Sequence, residues 1–322
     1  MNEKRDLMIR QLNDPGSHSR PQRNRKSCTP GRHVLVLFLL LSAMLLSGCA
    51  GLTAVNLITP TAHVIAQDVG FTSDPNLRLD VYGPDDAATV GQRTRPIVIF
   101  LYGGGWKSGS REQYAFVASG LTSEGYLTVV PDMRKYPEVT FPDFANDAAA
   151  AVRWAVENGP RYGGDPQRIF LLGHSSGAHV AALLNYDQSY LSELSTWRVC
   201  GFIGLSGPYD FLPLVSPTLQ AIFPESLRAA SQPVNFVDGD DPPALLLHGL
   251  KDKTVKPRNS AALAEQVRQV GGEAEMLVYD DESHAQLVLA LSSTLDHLAP
   301  VLNDVSEFVN AQSCSKKGGK NE

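Results

Sequence analysis

The string Gly173-His174-Ser175-Ser176-Gly177 concentrates reactive chemistry in this 322-residue chain. It follows the apolar run Ile169 to Leu172 and precedes the small, helix-forming run Ala178 to Leu184. A serine turned sharply between strand and helix adopts a strained backbone, and flanking glycines remove the side chains that would clash there. The hydroxyl then stands clear of the sheet. Ser175 is therefore a candidate nucleophile, and the Ser176 amide, at the helix start, a candidate donor to a developing oxyanion. A second part is Leu101-Tyr102-Gly103-Gly104-Gly105-Trp106. Consecutive glycines let bare amides approach a substrate oxygen, so Gly104 and Gly105 are expected to complete an oxyanion hole. Trp106 reads either as a wall of the acyl pocket or as packing after a turn.

A nucleophilic serine needs a base, and the chain holds eight histidines. His18 and His33 fall in the amino-terminal segment and His63 in a tether that follows it. His174 and His179 flank the serine, on residues whose side chains are expected to point away from it. His248, at a strand end beside Gly249, reads as structural, and His297 falls in the last helical stretch. His284 alone lies in a polar loop, Asp280-Asp281-Glu282-Ser283-His284, between the final strand and the final helix. The chain order serine, acid, histidine requires the base there. Asp252, just past the preceding strand in Leu247-His248-Gly249-Leu250-Lys251-Asp252, is the expected acid, because it would share the carboxyl ends of the strands with the other two. Asp281 and Glu282 are nearer to His284 in sequence and compete with it, but read as solvent-facing loop charges.

These residues must be positioned by elements that the hydrophobic pattern predicts. Leu77 to Tyr82 alternates at period two, as an exposed antiparallel strand does, whereas Ile97 to Leu101 is continuously apolar, as a strand covered on both faces must be. Further buried strands are expected at Tyr126 to Val130, Ile169 to Leu172, Gly201 to Leu205, Ala244 to Leu247 and Glu275 to Tyr279. Helices are expected at Phe144 to Asn158, before Gly159-Pro160, and at Ala261 to Val270, where Leu263, Val267 and Val270 share a face before Gly271. Such alternation predicts an α/β fold with a mostly parallel central sheet and helices on both faces. Gly207 to Pro242 is proline-rich, has no long periodic run, and reads as a short cap inserted in a domain spanning 71–312.

The matching strings resemble the carboxylesterase branch of the α/β-hydrolases over about Arg78 to Val309. They are Gly103-Gly104-Gly105-Trp106, Pro131-Asp132-Met133-Arg134-Lys135-Tyr136-Pro137, Tyr162-Gly163-Gly164-Asp165-Pro166, Gly173 to His179, and His248-Gly249-Leu250-Lys251-Asp252. Bacterial acetyl and feruloyl esterases, isoprenylcysteine methylesterases and kynurenine formamidases are the similar groups. The resemblance implies a Ser-Asp-His triad, a small-molecule ester substrate and no cofactor. Arg134 and Asp147 match family positions read as structural. Tyr102 departs from the pattern, since many members place a loop-bracing histidine before the glycines. An amidase or formamidase would use the same triad, and a non-catalytic binding protein could keep the fold. The small cap predicts short acyl groups, acetyl to about butyryl, because it offers little surface to wall a long acyl tunnel.

Charge and cysteines bound the rest. Residues 1–48 carry eight Lys and Arg against three Asp and Glu, which leaves 20 basic and 31 acidic side chains beyond them, a net charge of −11. That balance repels nucleic acid, and no Cys/His cluster has metal-ligand spacing. Arg20, Arg23, Arg25, Lys26 and Arg32 precede an uncharged apolar stretch from Val34 to Leu46, the layout of an export signal. Leu46-Ser47-Gly48-Cys49 resembles the lipobox of bacterial lipoproteins, in which the cysteine carries lipid. The competing architecture is an uncleaved membrane helix, since no charge appears until Asp68. Both place the domain outside the cytoplasm, attached to a membrane. Residues 49–70 read as a tether and 313–322 as a polar tail. Export permits a disulfide between Cys200 and Cys314, but Cys200 opens an apolar strand and is expected to be a buried free thiol.

Overall fold

The computed structural model describes residues 52, 55–60, 62–84, 94–194 and 199–314. The export segment, Cys49 and the tail beyond Cys314 lie outside the described residues. Eight strands form one sheet: β1 (His63–Gly70), β2 (Arg78–Gly83), β3 (Arg95–Leu101), β4 (Leu127–Pro131), β5 (Gly164–His174), β6 (Val199–Leu205), β7 (Ala244–Gly249) and β8 (Ala274–Tyr279). Their spatial order is β1-β2-β4-β3-β5-β6-β7-β8. β1 and β2 run antiparallel at one edge, while every pair from β4 to β8 is parallel.

Ile97 to Leu101 of β3 are all fully buried, as a central parallel strand with helices on both sides must be. The helices are α1 (Ala115–Ser123), α2 (Asp143–Asn158), α3 (Ser176–Tyr186), the short α4 (Pro217–Ile222), α5 (Arg258–Gln269), α6 (His284–Leu289) and α7 (Val301–Ala311). α1 and α7 cover one face. There Gly120 lies so close to the chain that an added Cβ would meet the Leu291 carbonyl oxygen at 1.8 Å, and the Tyr126 hydroxyl meets Ser306 Oγ at 2.9 Å. α2, α3 and α5 cover the other, with α2 packed on α3 and α3 on β5 and β6. Among the described residues, no helix is long and apolar enough to cross a membrane.

Several expectations need correction. His63–Gly70, read as tether, forms the edge strand β1; it is largely exposed, so it carries no apolar face for a period-two signal. β2 is not an exposed strand: Leu79 to Gly83 are buried, and Asp80 turns inwards to accept hydrogen bonds from Arg111 Nε at 3.1 Å and the Asp68 amide at 2.8 Å. A charge in a strand therefore marks a buried ion pair here, with its partner 31 residues away. Cys200 is not a free thiol. It is bridged to Cys314 across 114 residues, with the Cα atoms 5.2 Å apart, tying the chain beyond α7 to the start of β6. His297 lies in a 3-10 turn, Asp296–Leu298, ahead of the last helix.

Candidate active site

The sheet brings Ser175, Asp252 and His284 together at the carboxyl ends of β5, β7 and β8. Ser175 is the single residue between β5 and α3, with φ 55° and ψ −123°. The flanking glycines are required by contact. A Cβ on Gly177 would lie 2.0 Å from the Leu101 carbonyl oxygen, and one on Gly173 would lie 2.5 Å from that of Gly177. Any larger residue would push the elbow away from β3, so the strained turn and the glycines are one device.

Asp252 follows β7 in a tight turn in which its Oδ1 accepts the amides of Thr254 at 2.8 Å and Val255 at 2.9 Å. Its Oδ2 is left for His284 Nδ1 at 2.7 Å, and His284 Nε2 meets Ser175 Oγ at 2.9 Å. Burial alone would raise the Asp252 carboxyl. Hydrogen bonds from His248, His284 and the Val255 amide outweigh it and hold the group well below the usual carboxylate range. The acid is thus a fixed anion that imposes one orientation and tautomer on the imidazole, with Nε2 free to take a proton from the serine. His284 opens α6, where Ser283 and Gln286 close a capping box that fixes the first turn.

The competing acids are placed elsewhere. Asp281 is exposed and pairs with Lys251 at 2.7 Å. Glu282 is not a solvent-facing charge but is buried, because its carbonyl accepts the Lys251 amide and packs on the bare Cα of Gly249. Neither side chain is hydrogen-bonded to His284.

Three histidines set aside by the sequence reading support the site. His174 Nε2 donates to the carbonyl of His284 itself at 3.0 Å, and the two rings lie 4.8 Å apart. Burial, then the neighbouring His284, pushes His174 down to about 3, so it stays neutral. His179 accepts the Trp106 indole N–H on Nδ1 at 3.2 Å and donates from Nε2 to the Ser231 carbonyl at 2.7 Å. Burial pushes it down to about 4. His248 bonds Ser260 Oγ and the Val255 carbonyl, as a structural histidine should, and also sits 3.4 Å from Asp252 Oδ2. No local signal reveals the roles of His174 and His179, because their partners lie 52 to 110 residues away, whereas those of His248 lie within 12.

The glycine loop passes directly beside Ser175: a Cβ on Gly103 would stand 3.0 Å from Ser175 Cβ. Gly104 and Gly105 have φ of 149° and 61°, and their amides have no acceptor among the described residues. The loop is braced without the family's histidine. The Tyr102 hydroxyl donates to Asp132 Oδ1 at 2.7 Å, its ring stacks on Tyr114, and Asp132 is gripped in turn by Arg111. Trp106, pinned by His179, stacks on Phe211 and meets Phe223 edge-on, both from the cap. Arg134 and Asp147 form the ion pair expected of structural residues.

The sequence pattern of the BD-FAE family matches residues 79–267. The chain belongs to the BD-FAE family. That places it among the α/β-hydrolase carboxylesterases. Isoprenylcysteine alpha-carbonyl methylesterase ICME of Arabidopsis thaliana is 28% identical over 249 residues, 70% of this chain and 57% of that protein. Esterase LipC of Mycobacterium tuberculosis is 31% identical over 231 residues, 65% of this chain and 56% of that one. The chain thus spans little more than half the length of these curated relatives. The BD-FAE fold assignment agrees with a solved structure, a truncated form of carbohydrate esterase from gut microbiota. That structure is 23% identical, with a TM-score of 0.67, covering 79% of this chain and 98% of its own.

Proposed function

We propose that this protein is an exported carboxylic-ester hydrolase that acts on short-chain acyl esters through Ser175, His284 and Asp252. The observation that carries the reading is the unbroken hydrogen-bond chain from Asp252 Oδ2 through both ring nitrogens of His284 to Ser175 Oγ. As the serine oxygen attacks the ester carbon, its proton passes to His284 Nε2, and Asp252 stabilises the imidazolium. The bond to the alcohol oxygen then breaks, and the same proton leaves with the alcohol. Water repeats the sequence on the acyl-enzyme. Amides of Gly104, Gly105 and Ser176 hold the oxyanion, each such donor contributing about 10²–10³-fold.

Short acyl chains fit the walls of the site. A cavity of about 20 Å³ lies between the glycine loop and Ser176, lined by Tyr102, Trp106, Met133, Phe144 and Val180 together with Ser108, Arg134 and Lys135. That is room for little more than one water-sized group. Trp106, Phe211, Phe223 and His179 pack against one another and close the space in which a longer chain would lie. Each further methylene gains its ~0.8 kcal/mol only where apolar surface receives it. The Cys200–Cys314 bridge supports export to an oxidising compartment, and the basic-apolar-lipobox order ending at Cys49 supports membrane attachment by lipid. The test is kcat/KM for p-nitrophenyl esters from C2 to C16. It should peak at C2 to C4, and Ser175→Ala should lose about 10⁴-fold or more while unfolding at the wild-type temperature. A maximum at C10 or beyond refutes the short-chain reading, and an active Ser175→Ala protein refutes the nucleophile.

A further inference from the structure

An opening lies beside His284, on the side of the loop that carries Asp252. It is a groove of about 720 Å³ whose wall includes Leu250 and Ala285 as well as Lys251, Lys253, Lys256 and His284. On the esterase reading, on which this inference rests, the groove's contents follow from the reaction. The proton taken from Ser175 must reach the alcohol oxygen from His284 Nε2, so the alcohol half of the ester has to lie against His284. The acyl half is then left to the Trp106 side. The groove shares His284 with the catalytic hydrogen-bond chain, and Ser283 and Ala285 continue its wall on either side of that residue.

Its charge runs against the rest of the molecule. Beyond residue 48 acids outnumber bases 31 to 20, yet three lysines fall within the six residues 251–256 that also carry the acid of the triad. Of the carboxylates beside them, Asp281 holds Lys251 at 2.7 Å, Asp252 is buried against His284, and Glu282 is buried. Lys253 and Lys256 are exposed and make no ion pair among the described residues. A cation pair left open on the wall of a substrate groove attracts an anion and weakens with salt.

We propose that this groove selects esters whose alcohol portion carries an anionic group, a carboxylate or a phosphate, received by Lys253 and Lys256. The anion takes no part in bond making; it holds the leaving oxygen beside His284 while the acyl group passes to Ser175. The test uses the full chain and three aryl acetates: 4-acetoxybenzoate, its neutral methyl ester, and 4-acetoxyphenyl phosphate. For each anionic ester, kcat/KM is expressed relative to the methyl ester. The double variant Lys253→Gln/Lys256→Gln should lower that ratio about tenfold, and Lys253→Arg/Lys256→Arg should keep it, with unfolding temperatures confirming that both are folded. In the wild type the ratio should shrink as NaCl rises from about 20 to about 300 mM. A response to only one of the two anions supports the groove and names its preferred group. The proposal is overturned if the Gln variant keeps the wild-type ratio or if salt leaves the ratio unchanged. Failure of the wild type to cleave any of the three, the neutral ester included, instead overturns the esterase reading itself.

Discussion

At the scale of single residues, the site turns on which carboxylate faces His284. Asp252 has one oxygen occupied by two backbone amides and the other on Nδ1, so neither can rotate away without losing a partner. Asp281, past the end of the next strand and exposed, spends its charge on Lys251. Asp252→Asn replaces the fixed anion with a group that can offer Nδ1 a donor, favouring the imidazole tautomer that turns its proton towards the serine. Ester hydrolysis should then drop about 10³–10⁴-fold with little change in KM, whereas Asp281→Asn should stay within about twofold. Steady-state kinetics of the two variants side by side checks this, and a larger loss from Asp281→Asn would move the acid. That Ser175, Asp252 and His284 come together was legible, because strand-end position and chain order single them out. The work of His174 on the His284 carbonyl was not, since a histidine inside an elbow motif looks the same whether it points at solvent or at a neighbour 110 residues away.

At the scale of elements, the carboxyl ends of β5, β7 and β8 carry the proposed triad, and the opposite, amino-terminal end of the sheet carries the staple. Cys314, three residues beyond α7, is bridged to Cys200, the second residue of β6, on the far side from Ser175. A cross-link that closes 114 residues restricts the unfolded chain strongly, and removing it should cost about 2–4 kcal/mol. Cys200→Ser/Cys314→Ser should therefore unfold roughly 5–15 °C lower in a thermal scan. Its kcat at moderate temperature should match the wild type, because the bridge touches no part of the site. An unchanged unfolding temperature would show that α7 docks without it. The parallel strands were read correctly because burial on both faces writes a continuous apolar run, as in Ile97 to Leu101. β1 and the inward turn of Asp80 were invisible for the converse reason: an exposed edge strand buries little, and a buried charge is explained only by Arg111, brought close by the fold.

At the scale of the whole molecule, stability depends on pH through groups the site has buried. The folded chain keeps His174 and His179 neutral, because burial pushes them down to about 3 and about 4, whereas in the unfolded chain both would protonate near ~6.5. Their contribution is therefore fully present above that pH and is lost as pH falls towards 4, by ~1.4 kcal/mol per histidine per pH unit. Asp241 acts in the opposite sense. Burial, and the carboxylates of Asp238 and Asp240 beside it, push it up to about 7, so the folded state takes up its proton first and gains stability as pH falls over the same range. Two groups against one leaves a net loss of roughly 3 kcal/mol between pH 6.5 and 4. Below about 4, Asp252 adds to the loss, since its carboxylate is held low in the folded state and must be protonated as pH falls further. Urea unfolding midpoints at pH 7, 5.5 and 4 should accordingly fall in that order. Asp241→Asn, which removes the opposing group, should make the decline about twice as steep. A midpoint that holds level or rises on acidification would mean that the two histidines are not kept neutral, and with them would go the account of how Trp106 and His284 are held in place.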